Sequence, residues 1–434
     1  MKLSWLQIVR LGLVQMCLGA VVVLTTSTLN RLMVVELALP AVVPGFLVAL
    51  HYGIQITRPN WGFRSDTKGN RTAFVIGGMA VLSLGAFLAA VGVVLTPEAR
   101  AFGLTLSVLA YILIGVGVGA SGTSLLALLA TATEDRRRAA AATITWLMMI
   151  LGIAVTAGTV GAFLDPYSPM LLLEIVGIVT LGAVILTTLA VWGIEARVIA
   201  ERESDPAPFR QGMAEVWAEP RARAFTLFIF LSMTAYFMQE LILEPYAGLV
   251  FGFSPGQSTQ LSGAQNGGVF VGMLAVGIAA TGLRLGSLRL WVVAGCLGSA
   301  VALSLIAALG QIGTAFLVPA VVALGFFNGM FAVAAIGSMM ALAGEGRHAR
   351  EGTRMGLWGA AQALAFGLGG LLGTGASDLA HALLGGHRSA YASVFALQAV
   401  MFVVSAMVAL RLSSPRPSAQ ANPADVSEPV LERG

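Results

Sequence analysis

The chain has 434 residues, 57% of them hydrophobic and only 11% charged, with a formal net charge of +4. A soluble domain carries about 25% charged residues, so this composition excludes a water-soluble enzyme and points to a lipid bilayer. A basic balance often signals nucleic acid, but here the positions of the basic residues assign it to membrane topology.

A bilayer core takes about 20 apolar residues per helix. In chain order, apolar windows run over 10–36, 40–57, 73–95, 102–131, 139–164 and 168–192. After a polar gap they resume over 223–250, 257–281, 290–310, 312–342, 354–378 and 388–411. Segment 290–344 has no charge and is long enough for two spans, with "ALGQIGTAF" as the turn. The basic start "MKLSWLQIVRLGLVQMCLGAVVVLTT" resembles a secretory leader. Its apolar run is too long and lacks a small-x-small cleavage site, so it reads as the first span. The expectation is an all-α membrane protein of twelve transmembrane helices.

Orientation follows from Lys and Arg. With both termini cytoplasmic, every basic residue falls in a cytoplasmic segment except Arg31, Arg100 and Arg388. That bias accounts for the positive charge without nucleic acid. The polar stretch 193–222 divides the chain into six-helix halves at 1–192 and 223–411. Phe209, Met213, Val216 and Trp217 fall on one face within it, consistent with a surface helix or with a solvated linker. The Pro-rich tail, 412–434, is expected to be disordered and cytoplasmic. Cys17 and Cys296 lie in apolar runs with no metal-ligand spacing. Clustered glycines, as in "GVGVGASG" (115–122) and "GLGGLLGTG" (367–375), suit close helix packing. Room for a flat ligand between helices is the alternative.

"GFRSDTKGNRT" places Gly62, Asp66, Gly69 and Arg71 at the spacing Gly-x3-Asp-x2-Gly-x-Arg. It resembles the cytoplasmic motif of the major facilitator superfamily, with Asn70 in place of a usual basic residue. Glycines permit tight turns, and a carboxylate can cap a helix N-terminus. The resemblance implies two pseudo-symmetric six-helix bundles and a latch that biases which side is open. The second half offers only "GLRLGSLR", without an acid, and the antiporter glycine–proline motif of helix 5 is missing.

Charges inside the spans are the candidate functional residues. Arg31 lies in span 1, while Glu240 and Glu244 lie at similar depth in "YFMQELILEPYAG" of span 7. A charge at the centre of a helix costs roughly 2.5–3.5 kcal/mol on insertion scales. Arg31 is therefore expected to meet Glu240 or Glu244 across the halves, with Glu36 nearer the outer interface. A purely structural clasp is the alternative. His51 is the one histidine clearly inside a span; a neutral imidazole can ligate a metal, the magnesium of a chlorophyll included. A hydrogen-bonded helix histidine is the commoner case. The six aspartates, 66, 135, 165, 205, 378 and 425, form no diphosphate–magnesium site, so no catalytic or metal-binding residues are expected.

"TLNRLMVVEL" in span 1 and "MQELILEPYAG" in span 7 are similar to the PucC/LhaA group, the bacteriochlorophyll-delivery branch of the superfamily. Ala247 stands where the group usually has Gly, and Glu240 where it often has Asp. The segment "ALHYGIQITRPNWGF" resembles the subtype encoded beside bacteriochlorophyll synthase. The resemblance implies a non-enzymatic factor of a bacterial inner, intracytoplasmic photosynthetic membrane. It would carry bacteriochlorophyll as cargo, with no covalent cofactor, and contact light-harvesting antenna polypeptides or the synthase. It also makes His51 a candidate pigment ligand. A non-catalytic synthase subunit and a secondary transporter of a small solute are the rival expectations.

Overall fold

The computed structural model describes residues 3–58, 61, 70–195, 217–283, 285–313, 316–344 and 351–412. Among them all regular structure is helical. The first half holds α1 (Trp5–Glu36), α2 (Val42–Thr57), α3 (Arg71–Leu95), α4 (Arg100–Ala132), α5 (Asp135–Phe163) and α6 (Pro169–Val191). The second holds α7 (Pro220–Glu240), α8 (Leu243–Phe251), α9 (Pro255–Val276), α10 (Leu288–Ile312), α11 (Leu317–Gly344), α12 (Glu351–Leu384) and α13 (His387–Leu412). α7 and α8 are two pieces of the seventh span. Eleven spans are long and apolar enough to cross a membrane, and α2 is a shorter apolar twelfth. Residues 196–216, the bulk of the expected linker with Phe209, Met213 and Val216, lie outside the described residues, as does the tail after Leu412.

Serines set several of the helix starts. Ser4 and Ser254 each form a capping box with the glutamine three residues on, and Ser168 and Ser287 accept from the N–H groups of Leu171 and Leu290. Each satisfies N–H groups that a helix start leaves unpaired. Pro44 falls in the first turn of α2, where a missing N–H does no harm.

The buried residues form two main cores, one in each half. The first includes Leu11, Leu29, Met79 and Tyr111; the second includes Phe228, Phe331, Phe395 and Phe402. In lipid, helix association rests on close contact rather than on water exclusion, and glycine provides it here. A Cβ on Gly78 of α3 would lie 2.4 Å from the Ser121 nitrogen, and one on Gly117 of α4 equally close to that of Leu82. The adjacent Gly77 meets nothing within 4 Å. It opens onto a crevice of about 440 Å³ lined by Trp61, Phe74, Val81 and Val116. Neighbouring glycines thus differ: Gly78 seats a helix contact, while Gly77 faces open space.

The halves meet along α5 with α9 and along α2 with α12. Cβ atoms on Gly161 and Gly263 would each lie 2.6 Å from backbone nitrogen of the facing helix. Away from these contacts the surface presents Leu84, Leu109, Ile178, Leu181, Val301 and Val400. So broad an apolar exposure suits acyl chains rather than water.

Candidate functional site

The first and seventh spans are both irregular where they face each other. α1 contains two π-helical turns, Leu24–Thr28 and Leu32–Glu36, on either side of Leu29–Arg31. Such turns are rare and concentrate at functional positions. The local sequence favours the first of them. Thr25 and Thr26 both donate back to the Val22 carbonyl, and Tyr111 of α4 donates to the Thr25 carbonyl at 2.9 Å. These bonds compete with the regular α-helical ladder.

Span 7 breaks at Leu241–Ile242, between α7 and α8. Pro245 has no N–H, so the carbonyl four residues earlier, Leu241, lacks its helical donor. Asn30, fully buried in α1, donates its side-chain amide to that carbonyl at 2.8 Å. Asn30 of one motif therefore satisfies the acceptor that Pro245 of the other leaves open. Tyr246, next in line, donates its hydroxyl to the Ile306 carbonyl of α10 at 2.7 Å. A Cβ on Gly310 would lie 2.5 Å from that hydroxyl oxygen, so the glycine makes the approach possible.

Arg31 is buried and binds two partners. Its Nη1 lies 2.5 Å from Glu36 Oε1, and its Nη2 donates to the Phe253 carbonyl at 2.8 Å. Residues five apart on an α-helix sit about 140° around the axis. The second π turn brings Arg31 and Glu36 closer to one face. The Phe253 carbonyl is presented by the end of α8, where Gly252 adopts φ 72° and the Phe253 N–H returns to the Ala247 carbonyl at 3.1 Å. This is the glycine-terminated helix end that turns the chain sharply.

The expected cross-half ion pair is replaced by a different arrangement. Arg31 pairs with Glu36 of its own span and reaches the second half through a backbone carbonyl. Glu244, buried, accepts from the Ser27 hydroxyl, with Ser262 of α9 beside it; Arg31 acts on it through space. Thr28 meets Thr259 of α9 at 3.4 Å. Glu240, only partly buried, lies near the Tyr52 and Tyr236 hydroxyls. Asn30 Oδ1, Arg31 Nε, both amide atoms of Gln239 and Glu244 Oε2 are buried without a hydrogen-bond partner among the described residues. The junction thus retains polar capacity able to take water or a ligand's polar group.

His51 is buried in α2, with Nε2 2.8 Å from the Gln55 side-chain nitrogen. Arg58 donates to the Gln55 side-chain oxygen, which makes the facing amide nitrogen a donor. His51 Nε2 therefore accepts, and Nδ1 carries the proton with no partner among the described residues. Neither nitrogen offers a free lone pair in this arrangement, so ligation would require breaking the Gln55 bond.

Gly62, Asp66 and Gly69 lie outside the described residues. Arg71, the buried first residue of α3, is described. The helix start it belongs to is held by Glu195, at the end of the first half. Its two carboxylate oxygens accept from the N–H groups of Arg71 and Thr72 at 2.8 and 2.7 Å. Asn70 accepts from the Ala73 N–H at 3.0 Å, which gives this departure from the usual basic residue a capping role.

The sequence reading missed an aromatic group between the halves. Tyr52 of α2, Tyr236 and Phe237 of α7, and Phe366 of α12 converge beside Glu240. The Phe237 and Phe366 ring centroids are 3.7 Å apart. All four rings are partly exposed. Isolated aromatics in apolar windows carry no sequence signal of convergence.

Residues 28–416 match the PUCC protein family. The chain is 72% identical over 421 residues to the bacteriochlorophyll synthase 44.5 kDa chain of Rhodobacter capsulatus, covering 97% of this chain and 98% of that one. It is 28% identical over 430 residues to protein PucC of the same organism, covering 94% and 92%. Among solved structures, a POT family transporter in complex with a thioalcohol-conjugated peptide matches with TM-score 0.67 and 13% identity, over 94% of this chain and 96% of that one. A structure concerned with proton-dependent oligopeptide transporters matches at TM-score 0.68, again with 13% identity, over 94% and 98%. These likenesses establish the major facilitator fold, and the family match establishes kinship: the chain belongs to the PUCC family.

Proposed function

We propose that this multi-pass protein, linked through its family to bacteriochlorophyll and photosynthesis, is a non-enzymatic factor that holds bacteriochlorophyll and passes it to light-harvesting antenna polypeptides. The observation that carries this reading is the partly exposed aromatic group of Tyr52, Tyr236, Phe237 and Phe366 beside Glu240. Aromatic faces stack with flat π systems, and a carboxyl beside them can meet polar substituents at a macrocycle's edge. The junction of the first and seventh spans is the joint that positions α7 and hence half of this surface. His51, with its Nε2 engaged by Gln55, serves in this reading as part of the polar chain to Arg58 and not as the resting magnesium ligand. The termini face the cytoplasm, in keeping with the basic-residue bias, and the membrane is the photosynthetic inner membrane of a bacterium.

A second reading, a non-catalytic subunit of bacteriochlorophyll synthase, is favoured by the name of the relative 72% identical to this chain. One preparation distinguishes them. The protein is purified gently from a pigmented strain, with and without the synthase enzyme, and its near-infrared absorption is recorded. Pigment retained without synthase, and lost in Phe366→Ala, supports delivery. Pigment present only when the synthase co-purifies supports the subunit. A colourless protein that moves a small solute in vesicles refutes both.

A further inference from the structure

At the end of the bundle remote from Leu3 and Leu412, two aspartates join the halves by the same chemistry. Asp165 follows α5; its Oδ1 accepts from the Gly256 N–H in the first turn of α9 at 3.1 Å, and its Oδ2 accepts from the Ser254 hydroxyl. Asp378 lies on α12; its Oδ1 and Oδ2 accept from the N–H groups of Ala41 and Val42, where α2 begins, at 3.0 and 2.8 Å. Each carboxylate thus sits on the positive start of a helix belonging to the other half. The positions are equivalent: the fifth span of one half corresponds to the eleventh of the other, and the eighth to the second.

The backbone around each contact is built to let it form. A Cβ on Gly256 would lie 2.4 Å from Asp165 Oδ2, so that site admits no side chain. Behind Asp378, Gly45 of α2 lies against Thr374 of α12, with a hypothetical Cβ 3.0 Å from the Thr374 Cβ. Thr259, buried three residues beyond Gly256, lies within the same sealed end.

We propose that Asp165 and Asp378 form a paired latch that holds this end of the protein shut, and that the end opens only when both carboxylates leave the opposing helix starts. Among the described residues, every hydrogen-bond donor to these two carboxylates comes from the opposite half, so parting the halves breaks these bonds together. The latch follows from geometry alone and is independent of which ligand the protein carries.

The test uses the full chain in nanodiscs, with Cys17→Ser and Cys296→Ala and a single reporter, Thr259→Cys. The rate of labelling by a water-soluble maleimide reports opening. Labelling is slow in the parent. Asp165→Ala and Asp378→Ala each accelerate it about fivefold, the equivalent of about 1 kcal/mol for a lost cap, and the double variant accelerates it further. Ser168→Ala removes a helix cap at the same end but within one half, and it leaves labelling at the parental rate. Unchanged labelling in the double variant overturns the latch. So does equal acceleration by Ser168→Ala, because that marks general loosening.

Discussion

The relation between Asn30 and Pro245 gives the sharpest prediction about the junction. Asn30 donates to a carbonyl that Pro245 has deprived of its helical N–H, and it does so from a fully buried position. Asn30→Ala leaves the Leu241 carbonyl without that donor. A buried polar group left unsatisfied costs about 1–3 kcal/mol, while interhelical hydrogen bonds in membranes average about 0.6 and reach about 1.7. The expected loss is therefore about 1–2 kcal/mol, or roughly 5–30-fold in the folded-to-unfolded ratio. Pro245→Ala restores an N–H aimed at the same carbonyl, which has lone pairs for both donors. Asn30→Ala should then be less harmful in the Pro245→Ala background than alone, by about 1 kcal/mol, the worth of one hydrogen bond. Reversible unfolding in mixed micelles, followed by tryptophan fluorescence, measures all four corners of the cycle. Strict additivity, to within about 0.3 kcal/mol, would falsify the account of the break in span 7.

Three further outcomes are expected. Glu195→Ala removes both acceptors from the start of α3 and should lower stability by about 1 kcal/mol, as loss of a helix cap does; Glu195→Gln should recover part of it, read as a midpoint shift in thermal unfolding. Gly310→Ala forces a methyl group against the Tyr246 hydroxyl and should destabilise by about 1–3 kcal/mol, the usual range for overpacking. Adding Tyr246→Phe should relieve much of that loss, and a double variant no better than Gly310→Ala would refute the steric reasoning. Arg31→Lys keeps the charge but cannot hold Glu36 and the Phe253 carbonyl with a planar fork. It should reduce antenna accumulation in cells nearly as much as Arg31→Ala, and normal antenna levels in either variant would count against the junction's functional importance.

The number and kind of elements were legible because the bilayer reads a local property. Any stretch of about 20 apolar residues forms a helix there, since no water satisfies an open backbone. The windows therefore correspond to the spans, although α2 is short and the seventh window proves to be two helices, α7 and α8, because a window average does not register one proline. The two motifs were legible as words without their meaning. Asn30 of "TLNR" answers the carbonyl that Pro245 of "EPY" leaves open, a match that only the fold of both spans reveals. Glu36 is expected nearer the outer interface, and the π turn Leu32–Glu36 is what brings it to Arg31. The run "LTTST" was the available hint that the geometry changes in that region.

What the sequence determined by itself was the environment: the apolar spans and the charges that interrupt them. These follow from hydropathy, which each segment possesses alone. Only the tertiary structure decided which groups answer which. Arg31 found Glu36 through a π turn, Glu195 took the start of α3, and Asp165 and Asp378 reached equivalent helix starts across the halves. Hydrogen bonds act over about 3 Å, and at that range the register of a single turn selects the partner, a quantity fixed by packing between helices distant in the chain.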